Sequence, residues 1–362
     1  MINRERLYLP VLVLTGVLLF IGLVLIFSSS RVIGKDLNDL FLKQLIWLAI
    51  GLAFLILLAG TDFHFWTRNA PFFYLLILLL LAAVLFIGHG RSGTQRWFRL
   101  AGFNFQPSEF GKLFFIFTLA AYLEWRKDAV KRFGTLFFAA LFILLPPFLL
   151  VLLQPNLGTA FIMIPIFLVM FYAAGSPRKH LVTLVLTGCC ALPFLWLFLK
   201  DYQKQRILVF LNPSADPLGA GYNILQSRIA IGSGGIFGKG FLKGTQTHLA
   251  FLPEHHTDFI FSVLAEEWGL LGSTVLLALY LLFLIEIIRI ASYTRDRAGT
   301  SVAVGIMAMF ATQVFINIAM TMGFLPVVGI PLPFLSYGGS SLIASLSAVG
   351  ILLNIKQQET FI

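Results

Sequence analysis

Three clusters of residues that could serve chemistry stand out in a chain otherwise poor in charge. The first is Glu254, His255, His256, Thr257 and Asp258 in PEHHTDFIFSVLA, where a polar run gives way to an apolar one. An acid at the mouth of an apolar helix is held ionised by the helix dipole and pushed toward neutrality by partial burial. Such an acid can take a proton from a hydroxyl or hold a cation. Asp258 and Thr257 are also good helix caps, so a purely structural role stays open. Adjacent histidines do not readily turn both rings onto one ion, and the HExxH spacing of a zinc helix is missing, which disfavours zinc. Glu266, about two helical turns beyond Asp258 on the same face, and its neighbour Glu267 are expected to be buried acids with partners.

The glycine-rich run DPLGAGYNILQSRIAIGSGGIFGKGFLKG precedes this cluster. No strand leads into it and no Gly-Lys-Ser/Thr ends it, so it is neither a Rossmann nor a Walker loop. Glycine lets backbone N–H groups approach a phosphate, and Lys239 and Lys243 add positive charge; flexible surface turns are the plainer alternative. In the second cluster, QPSEFGK, Glu109 and Lys112 have the i, i+3 spacing of an ion pair. Just before it, Arg96 and Arg99 alternate with Trp97 and Phe98, a pattern suited to a segment lying in a membrane interface. The third, LPVVGIPLPFLSYGGSS, surrounds Ser336 with Pro326, Pro331, Pro333, Gly338 and Gly339, which suggests a broken or re-entrant segment lining a cavity.

The elements that must position these residues are transmembrane helices. Of the 362 residues 59% are hydrophobic and only 12% charged, which excludes an ordinary soluble domain. The fold expected is an all-α polytopic membrane bundle with ten spans. They fall near 8–27, 41–59, 71–88, 109–125, 134–153, 157–174, 181–199, 259–288, 301–323 and 336–355. A single domain, 1–362, and a retained signal-anchor helix at the N-terminus follow from the same pattern. With even parity and the N-terminus inside, the cytoplasmic side collects Arg4, Arg6, Arg68, Arg126, Lys127, Lys131, Arg132, Arg178, Lys179, Arg289, Arg295, Arg297 and Lys356. Both termini are then cytoplasmic, and the formal charge of +10 is topological, not a sign of nucleic acid. Segments 89–108, 200–258 and 324–335 lie outside. The second, between helices 7 and 8, is too long for a plain link and carries Tyr222, Ile224, Leu225 and Phe237, so it should fold into surface helices. Cys189 and Cys190 are expected to pack within a span, and no organic cofactor is called for. No inverted repeat is visible, which weakens a transporter reading.

Taken together, GTQRWF and FQPSEFGK (93–98 and 105–112), QPNLGTA (154–160), DPLGAGYNILQSRIAIGSGG (216–235), GKGFLKGTQTHLAFLPEHHTDFIFSVLAEEWG (238–269) and LPVVGIPLPFLSYGGSS (325–341) resemble the SEDS family of bacterial cell-wall polymerases. The resemblance covers essentially the whole chain. KGTQTHLAFLPE and DPLGAGYNI look more like the family's elongation branch than its division branch. What the resemblance implies is a peptidoglycan glycosyltransferase that polymerises lipid II, the undecaprenyl-pyrophosphate-linked disaccharide-pentapeptide, on the outer face of the bacterial cytoplasmic membrane. The family's essential acid falls on Asp258, and the QPSE acid and its basic partner fall on Glu109 and Lys112. The variable position within PExHTDF is His255, where substitution is expected to matter little. Arg96, Lys239, Lys243 or a bound Mg2+ or Mn2+ could meet the pyrophosphate, with Glu254, His256 and Ser336 completing the expected substrate-binding set. A class B penicillin-binding protein transpeptidase within an elongation complex is the implied partner. A lipid II flippase and a scaffold for that transpeptidase are the alternative functions.

Overall fold

A computed structural model of the chain describes residues 8–31, 38–90, 95–100, 103–198, 204, 208–210, 220–249 and 251–358. Arg4, Arg6, residues 93–94 of GTQRWF and the DPLG stretch at 216–219 lie outside the described residues. Long apolar runs become helices because only a helix satisfies its own backbone in a medium without water. They form α1 (Tyr8–Ser29), α2 (Asn38–Gly60), α3 (Phe63–Arg68), α4 (Ala70–Ile87), α5 (Pro107–Trp125), α6 (Phe133–Ala139), α7 (Leu145–Leu153), α8 (Leu157–Ala173) and α9 (Arg178–Phe198). The later elements are α10 (Ala220–Ser233), α11 (Thr245–His248), α12 (Ile260–Tyr293), α13 (Arg297–Thr321) and α14 (Gly339–Gln358).

Helix is thus present over all ten expected ranges. Among the described residues seven helical segments are long and apolar enough to cross a membrane: α1, α2, α4, the α6–α7 run, α12, α13 and α14. The α6–α7 run is broken by a π-helical turn, Ala140–Leu144. Its cause is local, since Pro146 and Pro147 bring no N–H to the ladder. Helices differ sharply in what they face. The most apolar stretch of α14 is 94% buried and that of α2 only 17%, so α14 is an interior helix and α2 shows most of its surface to the surroundings. On α4, Phe72, Leu79, Phe86 and Ile87 are all exposed. Apolar surface of that extent suits lipid and would aggregate in water. The chain is a multi-pass helical membrane protein. Cys189 and Cys190, expected to pack inside a span, are instead exposed and unbridged.

The aromatic-basic segment before α5 contains two short strands: β1 (Phe98–Leu100) and β2 (Phe103–Phe105) pair antiparallel, with Phe98 opposite Phe105 and Arg99 opposite Asn104. The chain resolves into two compact units. One comprises Met1–Leu52, Asp201–Glu286 and Gln313–Ser345; the other comprises Ala53–Lys200, Ile287–Thr312 and Leu346–Ile362. Within the first, α1 lies directly on the segment before α14, and a side chain at Gly22 would collide with the backbone of Phe334 and Leu335. Within the second, Trp66, Phe73, Phe114 and Phe117 form an aromatic layer between α3, α4 and α5, with Phe73 and Phe114 stacked at 5.3 Å.

Candidate active site

Asp258 lies in the turn just before α12, half-buried, and every neighbour of the turn fixes its backbone. Glu254 adopts a left-handed φ of 51°, and its carbonyl oxygen accepts from the N–H groups of Thr257, Asp258 and Phe259 at 3.2 to 3.4 Å. Ser336 Oγ donates to the Thr257 carbonyl at 2.6 Å, the Tyr337 N–H to that of His256 at 2.9 Å, and Asn317 Nδ2 to that of Asp258 at 3.0 Å. The same Asn317 nitrogen donates to Ile330 O, and Ser336 Oγ accepts from the Leu332 N–H. Three carbonyls of one turn are therefore satisfied from α13 and from the proline-rich segment before α14. A left-handed non-glycine residue persists only where its surroundings over-determine it, and here they do. Gly329 is close enough that a side chain there would meet the Asp258 carboxylate at 3.3 Å.

The two histidines differ. His255 is buried, its Nδ1 2.8 Å from Leu252 O and its Nε2 3.0 Å from Ser29 O. His256 stands edge-on to it at 5.3 Å between ring centres and also contacts the Tyr337 ring. Burial first, and the neighbouring His255 second, lower the pKa of His256 to about 4, against a weaker pull from Glu254. His256 is thus neutral at physiological pH.

At the tenth residue of α12 lies a break that the sequence did not announce. Gly269 has φ 65° and ψ −159°, which no helix continues through. The glycine-rich segment splices the break. Leu270 and Leu271 N–H groups donate to Gly235 and Ile236 carbonyls, while Lys239 and Gly240 N–H groups donate to Glu266 and Glu267 carbonyls, all at 2.9 to 3.1 Å. These bonds take up backbone groups that the break opens. Gly238 and Gly269 are needed for the close approach: a Cβ on either would strike the backbone of the other strand of the splice. Gly235, Gly238 and Gly240 of this run thus pack against α12.

Glu266 and Glu267 are fully buried and paired, as their position required. Glu266 Oε1 accepts from Lys239 Nζ at 2.7 Å and from Thr245 Oγ1 and the Gln246 N–H at 3.1 Å. Ser28 Oγ donates to Glu267 Oε1, and His248 Nε2 lies 3.6 Å from that oxygen. Lys239, expected as a substrate cation, is therefore committed to an internal acid 27 residues away. Lys243 is exposed. Glu254 is exposed and receives Thr257 Oγ1 on its carboxylate at 3.4 Å.

In the second unit, Glu109 and Lys112 in the first turns of α5 are both buried and joined at 2.9 Å. Ser108 beside them receives Gln106 Nε2 at 3.2 Å and Asn156 Nδ2 at 3.5 Å, tying QPSE to QPNL. Arg96 donates Nε to Gln154 O at 3.1 Å and its terminal nitrogen to Pro155 O. Its guanidinium thus fastens the hairpin to the turn that enters α8. Sequence reasoning missed the splice, the Glu266 cluster and the His255 bonds, because each joins residues far apart in the chain. Among the described residues no group of three or more His, Cys, Asp or Glu side chains converges to form a metal cage.

A helical membrane protein with one fixed acid-bearing turn and one buried charge pair is the class these features define. The family model described as Cell cycle protein, which spans FtsW, RodA and SpoVE, matches residues 9–361. The chain belongs to this SEDS family. It is 41% identical to the peptidoglycan glycosyltransferase MrdB of Escherichia coli over 349 residues, 95% of this chain and 91% of that one. Among solved structures, it matches a chain of a peptidoglycan synthase complex that coordinates polymerization and crosslinking, with a TM-score of 0.82, 31% identity and coverage of 96% and 97%. It also matches the rod shape determining protein RodA of Thermus thermophilus, with a TM-score of 0.71, 30% identity and 96% of each chain.

Proposed function

We propose that this chain is a peptidoglycan glycosyltransferase that polymerises lipid II during cell elongation, with Asp258 as its general base. The reading places ten spans in the bacterial cytoplasmic membrane, both termini inside and the Asp258 turn at the outer face. In the reaction an acceptor sugar hydroxyl attacks the anomeric carbon of the donor. Its proton passes to the Asp258 carboxylate, a new glycosidic C–O bond forms, and the bond to undecaprenyl pyrophosphate breaks.

The observation that carries the reading is the turn itself. A base must be held within hydrogen-bond reach of the proton it removes, and error of an ångström is costly. A turn whose carbonyls are taken up by Ser336, Tyr337 and Asn317 meets that demand. Of the three cations expected at the pyrophosphate, Arg96 and Lys239 bond internally, so Lys243, which is exposed, is the one the reading assigns to the leaving pyrophosphate. A hydrated Mg2+ or Mn2+ would need only one carboxylate plus the pyrophosphate itself, and its contribution would be charge neutralisation. The likeness to a chain of a synthase complex supports a class B penicillin-binding protein as partner.

The test is polymerisation of lipid II by purified protein in detergent, with and without the transpeptidase and divalent cations. Glycan chains from wild type and none from Asp258→Asn support the assignment. Normal chains from folded Asp258→Asn would sink it, and no chains from either protein, with lipid II movement in vesicles, would favour a flippase.

A further inference from the structure

We infer that His255 is a positioning residue for this reaction, stapling the turn that carries Asp258 to the end of α1; the inference rests on the reading of Asp258 as base. Carbonyl oxygens only accept hydrogen bonds. Leu252 O lies 2.8 Å from Nδ1 and Ser29 O 3.0 Å from Nε2, so each ring nitrogen faces an acceptor and an N–H on either side of the ring finds its partner in place. The ring is buried, so neither bond is replaced by water at no cost.

The two acceptors belong to different parts of the chain. Leu252 lies in the segment entering the turn, and its own N–H donates to Gln246 O at 3.2 Å, so the segment is tied back to the residue whose N–H holds Glu266. Ser29 is the last residue of α1, and its neighbour Ser28 is bonded to Glu267 of α12. The last turn of α1 is thus gripped at consecutive residues, by α12 through Ser28 and by the Asp258 turn through His255. The other three fixings of the turn come from α13 and the segment before α14. Without His255 the turn keeps those three and loses its link to α1, which lets Asp258 pivot while the bundle stays folded.

The experiment compares wild type, His255→Phe, His255→Gln and Asp258→Asn as full-length protein, under conditions in which wild type polymerises lipid II. Phenylalanine fills the same space with no donor, and glutamine restores one. In His255→Phe, kcat should fall about tenfold or more while KM for lipid II stays within about threefold. Amide hydrogen exchange should rise across residues 252–259 and stay unchanged in α10, and His255→Gln should recover part of kcat. Wild-type kcat in His255→Phe overturns the proposal, as does a loss of kcat with unchanged exchange or one that only follows the folded fraction. Asp258→Asn separates the two failures: if it polymerises normally, the base reading falls and this one with it, whereas an inactive Asp258→Asn beside a normal His255→Phe removes the staple alone.

Discussion

The Asp258 turn and the Glu109–Lys112 pair are both charged motifs at the start of a helix, yet the protein treats them in opposite ways. Glu109 and Lys112 are buried and spend their charge on each other at 2.9 Å. Asp258 stays half-buried, and what its neighbours hold is the backbone around it. A carboxylate that is to take a proton from substrate must be held within reach of it, which is a demand on the backbone that carries it. A charge that only has to exist inside the bundle must be paired there. On the proposed reading the first motif does chemistry and the second is architecture, and each assignment can be broken separately.

The largest expected effect is on the turn. Asp258→Asn keeps the shape and the carbonyl bonds but removes the base, so the rate of glycan formation should drop by about 10²- to 10⁴-fold, with thermal stability within a few degrees of wild type. A large loss of stability instead would move Asp258 into the architectural class. The pair should behave the other way round. Glu109→Gln or Lys112→Met alone leaves one buried charge without its partner and should cost about 3–5 kcal/mol, read as a fall in the thermal midpoint in detergent. The double substitution should return most of that stability. If polymerisation returns with it, the pair is architecture; if polymerisation stays lost while the protein folds, the pair acts on the reaction and the contrast fails.

Where the constraint was lipid, the sequence was legible. All ten expected ranges are helical, and among the described residues seven helical segments are long and apolar enough to cross a membrane, where no other backbone arrangement is tolerated; Glu109 and Lys112 were paired from their spacing on one helix. Partners set by tertiary contact were not. Glu266 needed a partner on physical grounds, but nothing local pointed to Lys239, 27 residues earlier. The α12 break was hidden because LAEEWGLLG reads as a continuous helix and its open carbonyls are satisfied by the glycine segment, which looked like a phosphate cradle. Cys189 and Cys190 were misjudged for a related reason: in a membrane protein a lipid-facing surface and a core have the same composition, so apolar context does not report burial.

A smaller effect separates the two regions by pH. His256, in the turn, has a folded pKa of about 4 against an ordinary value of 6.5. Between those values the unfolded chain binds a proton that the folded one does not, so stability is complete above about pH 6.5 and is lost as pH falls toward 4. The full loss is about 3 kcal/mol. Thermal midpoints measured from pH 7 to 4 should fall more steeply in wild type than in His256→Phe. Equal slopes would mean that His256 is not the group that titrates.

The smallest effect tests whether the glycine-rich segment serves α12 throughout or only at the splice. Gly232, near the end of α10, has open space where a Cβ would stand and an ordinary backbone conformation, unlike Gly238 with its φ of 81° and the Glu267 carbonyl against it. Alanine at 232 therefore adds no clash and reduces the freedom of the unfolded chain, which should raise stability by about 0.5–1 kcal/mol and leave polymerisation unchanged. If Gly232→Ala lowers the polymerisation rate with stability intact, the glycine at 232 is needed for approach by substrate, and the division of labour drawn above would have to extend the reactive region from the Asp258 turn back into α10.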